Sequence, residues 1–277
     1  MTLVKVNQFV IIRTVLLVCC VAFSAPTVAQ QRSDVITFGV VPQQSAEKLL
    51  KAWGPVMKYL SQSIGQTVRF ATAPTIGQFE ERCTAGDYDI AYMNPYHYVQ
   101  FAQNPGYSVL VNQRDKKLKG IFVVRKDSHI KGLSDLQGQT IHLPSPNAFA
   151  ASLLIQAVLK NSVIEYRTHY AGSHDSVYRN VARGLTKVGA GVVRTFRIQP
   201  EGIKSQLRIL ATTKGYTPHA IAIHPRLHKK QRKALLRALL TVPKDLRSPL
   251  KFNPLKQATD EEYNDIRALH LNTVLGK

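Results

Sequence analysis

One short stretch of the sequence combines residues suited to binding an anion. Tyr92 ends an apolar run that predicts a buried strand, and Asn94 and Pro95 follow it. Pro95 fits the first turn of a helix, where its missing N–H costs nothing. The free N–H groups and the positive dipole end of such a helix favour a negative charge. Tyr92, Asn94, Tyr96 and His97 are therefore candidate ligand-binding residues, although Tyr92 and Tyr96 also fit ordinary packing at a strand–helix corner.

Two further segments repeat this pattern of a strand followed by a helix start. Ser145 or Asn147 is expected to cap a helix over about 148–159, and Ser173 is expected to cap the next helix. His174 would then lie in a first turn, either as a donor to a ligand oxygen or only as a capping-turn residue. The candidate ligand-binding residues of this second group are Ser145, Asn147, Ala148 and His174.

Catalysis is not expected from these residues. His174, Asp175 and Ser176 are consecutive at a helix start, so their side chains diverge and cannot form a Ser–His–Asp relay among themselves. The sequence also contains no nucleophile elbow, no metal-ligand pair and no glycine loop for phosphate. We therefore predict a binding protein with no catalytic residue, metal or cofactor.

Strands and helices alternate from residue 35 onward, which predicts an α/β fold with mostly parallel sheets. Ligands of such folds bind at the carboxyl ends of the strands. Val41 and Thr75 follow the first two predicted strands, so they should lie at the same edge as Asn94 and complete the set of candidates. We place a crossover to a second lobe near residues 115–125, and a return to the first lobe after residue 212.

The first 29 residues have the features of a signal peptide. Lys5 and Arg13 precede an apolar run over residues 15–23, and small residues stand before Gln30. We predict cleavage after Ala29 and a periplasmic protein; a lipoprotein anchored at Cys19 or Cys20 is a weaker alternative, because no small residue precedes Cys19. Cys83 is the only cysteine after residue 29, so an intramolecular disulfide is not expected.

Charge is the strongest signal in the composition. The chain carries 37 Lys and Arg against 17 Asp and Glu, a formal net charge of +20. Such a field attracts small anions, anionic lipid head groups or nucleic acid. The densest run, residues 228–233, reads as the solvated face of an amphipathic helix, and no nucleic-acid-reading motif accompanies it. We therefore expect a small anionic ligand and no nucleic acid as partner.

Several segments together resemble the PhnD-type phosphonate-binding proteins of ABC importers, over about residues 34–270. They are Phe-Gly-Val-Val-Pro at 38–42, Gly-Asp-Tyr-Asp-Ile-Ala-Tyr at 86–92, Asn-Pro-Tyr-His-Tyr at 94–98, Leu-Ser-Asp-Leu-Gln-Gly at 133–138, Phe-Ala-Ala-Ser at 149–152 and Gly-Ser-His-Asp-Ser-Val at 172–177.

The resemblance implies a two-lobed type II periplasmic-binding-protein fold that closes on its ligand about a hinge. Lobe I is expected to comprise residues 30–118 and 213–277, and lobe II residues 119–212. The implied partner is an ABC permease, and the implied ligand is a phosphonate, phosphite or phosphate. A periplasmic receptor that signals to a sensor histidine kinase is the alternative, and a basic surface-binding protein without a specific ligand is a third function class. The protein is expected to be a monomer.

Two departures from the family pattern bear on the ligand. The loop that opens the helix of the second lobe usually carries several hydroxyl residues in this family, but here residues 145–151 hold one hydroxyl, on Ser145, and the large ring of Phe149. An acidic residue that is common in the family is also missing from residues 184–189. A ligand ammonium would lose a counter-ion, so we expect a smaller or less hydrogen-bonded anion than an aminophosphonate.

Overall fold

The computed structural model describes Thr2 and residues 35–271. The predicted signal peptide, residues 1–29, lies outside the described residues apart from Thr2, and it stays a prediction. Within the described ranges, no helix has the length and apolar character needed to cross a membrane.

Two separate β-sheets organise the chain. The strands of the first sheet, numbered in chain order, are β1 (Val35–Val40), β2 (Thr67–Ala71), β3 (Ile90–Met93), β4 (Ser108–Gln113), β10 (Ala220–Ile223) and β11 (Leu255–Gln257). The strands of the second sheet are β5 (Gly120–Arg125), β6 (Thr140–Leu143), β7 (Arg167–Tyr170), β8 (Val188–Val192) and β9 (Leu207–Thr212). The spatial orders are β11-β4-β10-β3-β1-β2 and β7-β6-β8-β5-β9.

We call the half with the first sheet lobe I and the half with the second sheet lobe II. The chain passes from lobe I to lobe II between β4 and β5, and it returns between β9 and β10. The residue bounds expected for the two lobes stay a prediction. Two sheets with flanking helices confirm the predicted α/β, two-lobed fold class.

Most strands of each sheet run in one direction, as predicted, although the strand pairings are mixed. In lobe I, β1 runs parallel to β2 and β3, but β10 and β11 pair antiparallel with their neighbours. In lobe II, β6 runs parallel to β7 and β8, but β5 pairs antiparallel with β8 and β9. β5 and β10 are the strands that enter each lobe from the other one. Their short connections need no helical crossover, so these strands run against the direction of the βαβ units.

The helices are α1 (Ala46–Ile64), α2 (Ile76–Ala85), α3 (Pro95–Gln103), α4 (Leu154–Asn161), α5 (His174–Ala182), α6 (Val193–Arg197), α7 (Glu201–Lys204), α8 (Lys229–Leu240), α9 (Lys244–Arg247) and α10 (Asn264–Arg267). Short turns of 3₁₀ helix span Ser134–Leu136 and Asp260–Tyr263, and a π-helical turn spans Phe149–Leu153. Side-chain caps begin α1, α2, α3 and α5, from Ser45, Thr75, Asn94 and Ser173.

The hydrophobic core joins the two lobes near the π-helical turn. The largest apolar cluster fills lobe I, and it also includes Phe149, Ala150 and Val192 of lobe II. Two smaller clusters lie on opposite faces of the lobe II sheet, because side chains of β5 alternate between them. The start of the lobe II helix is therefore packed against lobe I.

Candidate functional site

A small cavity lies where residues of the two lobes meet. Its volume is about 10 Å³, which is close to the space that one water molecule needs. Its polar lining is buried and consists of Gln43, Asn94 and His219 from lobe I and His174 from lobe II. Its apolar lining consists of Val41, Ile76, Leu118, Ala148, Phe149, Ala150, Ala151 and Val192.

The helix start in lobe I is built as the sequence predicts. α3 begins at Pro95, and Asn94 Oδ1 accepts a hydrogen bond from the backbone N–H of His97 at 2.8 Å. The other end of the same amide, Asn94 Nδ2, donates to the carbonyl oxygen of Asn147 at 3.1 Å. Asn94 therefore caps α3 and also holds lobe II at the edge of the cavity.

The helix start in lobe II differs from the prediction that Ser145 or Asn147 caps it. Residues 145–148 form a turn in which Ala148 N donates to Ser145 O at 3.4 Å, and Pro146 takes the second position. The helix then opens as the π-helical turn, with Ala148 as its N-cap and no side-chain cap. The capping prediction was wrong: the Asn147 side chain donates to Glu80 instead, and Ser145 Oγ accepts no hydrogen bond from the helix start.

Three backbone N–H groups of the π-helical turn are left for another acceptor. The N–H groups of Ser152 and Leu153 both donate to the carbonyl oxygen of Ala148. Among residues 35–271 we find no acceptor for the preceding N–H groups, and all three of their residues line the cavity. These residues are Phe149, Ala150 and Ala151. Unpaired N–H groups at a helix start are suited to hold an anion.

A chain of side chains that sequence reasoning missed brings positive charge to the cavity. Arg194 Nη2 of α6 donates to Gln43 Oε1 across the two lobes. Gln43 Nε2 lies 3.2 Å from His219 Nε2. Because the Gln43 oxygen faces the guanidinium, its nitrogen must donate to His219, whose Nε2 is then unprotonated. Arg194 is thus one side chain away from the cavity.

The two histidines of the lining are neutral. Burial, followed by repulsion from Arg194, lowers the pKa of His174 to about 3. Burial is also the main cause that lowers the pKa of His219 well below its usual value, and Arg194 adds to it. His174 Nδ1 lies 3.2 Å from Thr195 Oγ1. Each neutral ring has one hydrogen-bond donor and one acceptor. The two histidines can therefore form neutral hydrogen bonds with a ligand, while Arg194 supplies the positive charge.

Burial of these two histidines should make the fold lose stability as the pH falls from neutral. In the unfolded chain each histidine binds a proton near pH 6.5, whereas the folded protein keeps His174 neutral down to about pH 3. The unfolded state therefore binds more protons in this window. Each histidine then lowers the free energy of unfolding by up to about 1.4 kcal/mol per pH unit.

Urea unfolding between about pH 7 and about pH 5 measures this slope while most carboxylates stay charged. His174→Gln should make the slope shallower. His129→Gln is the matched control at an exposed position outside the cavity lining, and its slope should equal that of the wild type. An identical slope in the wild type and His174→Gln would contradict the conclusion that His174 is neutral in the folded protein.

The structure brings only part of the predicted residue set together. Val41, Asn94, Ala148 and His174 line the cavity. Tyr92 lies behind the lining, where its ring stacks on His219 with 5.0 Å between centroids and packs against Trp53. That contact fits the packing interpretation of Tyr92.

The other predicted residues lie around the cavity rather than in its wall. His97 Nε2 pairs with Glu80 Oε1 at 2.7 Å, and Asn147 Nδ2 donates to Glu80 Oε2 at 3.1 Å. Ser145 Oγ is buried and has no hydrogen-bond partner among the described residues. Thr75 caps α2 and borders a separate groove of about 300 Å³ between the lobes, and Tyr96 borders a groove of about 320 Å³ beside α10. Their ligand-binding roles stay predictions.

An ion pair outside the cavity also joins the lobes. Lys48 Nζ, in the first turn of α1, lies 2.6 Å from Asp175 Oδ2, in the first turn of α5. Gln199 Nε2 donates to the other oxygen of the same carboxylate at 2.8 Å. Asp175 is buried, so its charge depends on these two partners.

Comparison with known proteins places the chain among binding proteins. The profile of a family described as ABC transporter, phosphonate, periplasmic substrate-binding protein matches residues 38–263. A probable ABC transporter phosphite binding protein, PhnD1 of Prochlorococcus marinus, is 25% identical over 182 residues, which are 61% of this chain and 61% of that protein. The phosphate-import protein PhnD of Mycolicibacterium smegmatis is 24% identical over 181 residues, 59% of this chain and 56% of that protein. The chain thus matches less than two thirds of each relative's length.

A solved structure has the same fold. PhnD1 from Prochlorococcus marinus, in complex with methylphosphonate, aligns with a TM-score of 0.79 and 21% sequence identity, over 88% of this chain and 99% of that chain. Likeness at this level of identity establishes the fold alone.

Proposed function

Because the chain belongs to the family of periplasmic substrate-binding proteins of phosphonate ABC transporters, we propose that it binds a small phosphorus oxyanion between its lobes and delivers it to an ABC permease. The family consists of binding proteins, not enzymes. Phosphite and phosphate appear in the names of two relatives, and methylphosphonate in a complex of one of them. The signal-like N-terminus fits a periplasmic site of action.

One observation carries this proposal. The N–H groups of Phe149, Ala150 and Ala151 have no acceptor among residues 35–271, and these three residues line a cavity that Arg194 approaches from the same lobe through Gln43. Backbone donors with a neighbouring guanidinium form a site for an oxyanion, because charge-assisted hydrogen bonds in a dry environment are strong. His174 and Asn94 can add neutral hydrogen bonds.

The size of the cavity favours a compact ligand. A volume of about 10 Å³ holds roughly one water-sized group, so an oxyanion can enter only when the lobes separate. When the lobes then close on the oxyanion, they stay slightly further apart than in this structure. Phe149 and Leu118 occupy space that an organic substituent would need. We therefore rank phosphite and phosphate above methylphosphonate, and 2-aminoethylphosphonate last.

A titration panel tests the proposal. Phosphite, phosphate, methylphosphonate, 2-aminoethylphosphonate and methanesulfonate are compared with glycine betaine and ribose by calorimetry and thermal unfolding. A ligand present at about a hundred times its Kd raises the free energy of unfolding by about 2.7 kcal/mol. Small-angle scattering in the same samples should report compaction on binding. Stabilisation by the neutral solutes alone would overturn the proposal.

Removing the Lys48–Asp175 pair should weaken binding without touching the cavity. The pair joins the lobes, so Lys48→Ala disfavours the closed state and leaves the Asp175 charge poorly compensated. We expect the Kd for phosphite to rise about fivefold, which corresponds to about 1 kcal/mol. Lys51→Ala is the control: Lys51 is exposed one turn further along α1 and should change the Kd by less than about twofold. Equal effects of the two substitutions would contradict a role of the Lys48–Asp175 pair in stabilising the closed state.

The alternative of a receptor for a sensor histidine kinase stays a prediction. It uses the same cavity but a different docking partner. Growth on phosphite as sole phosphorus source, after deletion of this gene alone, separates the two: an importer component is needed for uptake, and a sensor is not.

A further inference from the structure

Much of the surplus positive charge lies in one segment of lobe I that the cavity does not use. Residues 226–251 hold nine basic residues and a single acidic residue, Asp245, in a chain with a net charge of +20. The nine are Arg226, Lys229, Lys230, Arg232, Lys233, Arg237, Lys244, Arg247 and Lys251.

Four of these basic residues lie on the outer side of helix α8. Its buried side consists of Leu235, Ala238 and Leu239. Its outer side, which we call the basic face, consists of Lys229, Lys230, Lys233, Arg237 and Leu240, all of them exposed. Spacings of three and four residues align these side chains along the helix. The basic face thus combines four cations with a leucine that is 40% exposed.

The cations of the basic face have no acidic partner among the described residues. Within residues 35–271, none of the four takes part in an ion pair. α8 also contains no acidic residue. Mutual repulsion of such a cluster is relieved only by counter-ions or by an anionic partner.

Neighbouring elements extend the same charged surface. Tyr59 Oη lies 2.9 Å from Thr241 Oγ1, which fixes α1 beside the end of α8. Lys58, next to Tyr59, is exposed, and so is Lys244 at the start of α9. The positive surface therefore continues from α8 onto α1 and α9.

We propose that the basic face docks on the anionic head groups of a phospholipid membrane. Lysine ammonium groups are compact charges that attract an anionic surface, and each basic residue near such a surface strengthens binding about fivefold. The exposed Leu240 can enter the boundary between head groups and acyl chains. Surfaces for single-stranded nucleic acid add aromatic stacking side chains, and the basic face has none.

Vesicle co-sedimentation tests this docking. Binding to vesicles of phosphatidylglycerol mixed with phosphatidylcholine is compared with binding to phosphatidylcholine alone. The triple variant K229Q/K233Q/R237Q should lose about a hundredfold in binding to the anionic vesicles, as expected for three residues at about fivefold each. The control K126Q/K131Q/K187Q removes the same charge from exposed positions of lobe II and should lose less than about threefold. All variants share the same N-terminus, so any contribution of the apolar run at residues 15–23 cancels.

A second variant separates a membrane from a soluble polyanion. Leu240→Ser should weaken vesicle binding severalfold but leave retention on heparin unchanged, because heparin offers charge without an apolar layer. Equal losses in the two triple variants, or no dependence on phosphatidylglycerol, would overturn the proposal. Unchanged vesicle binding of Leu240→Ser would overturn the membrane as the partner. Phosphite affinity, measured in parallel, should be unchanged in every variant, so this test does not depend on the proposed function.

Discussion

Replacing Arg194 with glutamine is expected to weaken phosphite binding about a hundredfold. Arg194 reaches the cavity through Gln43, and its charge acts on both lining histidines. The cavity lining itself offers only neutral side chains and backbone N–H groups, so Arg194 supplies positive charge from just behind it. A unit charge that acts on a bound anion across one side chain, in a site of intermediate dielectric, contributes about 2–3 kcal/mol, which corresponds to the expected change in Kd.

A matched control lies on the same short helix. Arg197 is exposed at the end of α6, so Arg197→Gln removes the same charge, and screening by solvent should keep its effect below about twofold. NMR titration gives a second readout: the pKa of His174 and of His219 should rise in Arg194→Gln, because Arg194 lowers both. Equal phosphite affinities of the two variants would refute a special role for Arg194.

Local sequence rules were sufficient where a side chain caps a helix. Asn94 and Pro95 predict a capped helix after a strand, and α3 begins there with the expected hydrogen bond. Thr75 and Ser173 cap their helices for the same reason. A cap depends on a few adjacent residues, so single-sequence reasoning can find it.

The rest of the site depends on contacts that local patterns do not contain. His219 reaches the cavity because β10 runs antiparallel to β3, which brings the start of β10 to the edge where β3 ends. The direction of β10 follows from the chain's return out of lobe II, not from its own residues. Arg194 carried a usable signal, since it follows the end of β8 just as Asn94 follows β3. The rule that ligands bind at the carboxyl ends of strands, applied to every strand, would have placed Arg194 among the candidate residues.

Replacing Gly120 with alanine is expected to damage both the fold and the site. A Cβ at position 120 would lie 2.0 Å from the carbonyl oxygen of Ala150 and 3.1 Å from Thr213 Cγ2. The closer contact is backbone, so it cannot be relieved by a rotamer change. Overpacking of this kind costs about 3 kcal/mol, and we expect the free energy of unfolding to fall by about that amount in urea titrations. Gly202→Ala is the control, because a Cβ there meets no atom within 4 Å, and alanine in α7 should be neutral or slightly stabilising.

The position of Gly120 ties this stability effect to binding. Ala150 belongs to the π-helical turn whose unpaired N–H groups line the cavity. Gly120 is also held by the hydrogen bond from its N–H to Thr213 Oγ1 at 2.9 Å.

If the turn moves to relieve the clash, its donors leave their positions, and phosphite affinity should fall at least tenfold even under conditions where the variant is fully folded. If β5 moves instead, affinity should be retained while stability falls. We expect the turn to move, because β5 is hydrogen-bonded to β8 and β9 on both sides, whereas the opening N–H groups of the turn have no such partners. A destabilised Gly120→Ala protein that binds phosphite with wild-type affinity would show that β5 moves and the turn keeps its place.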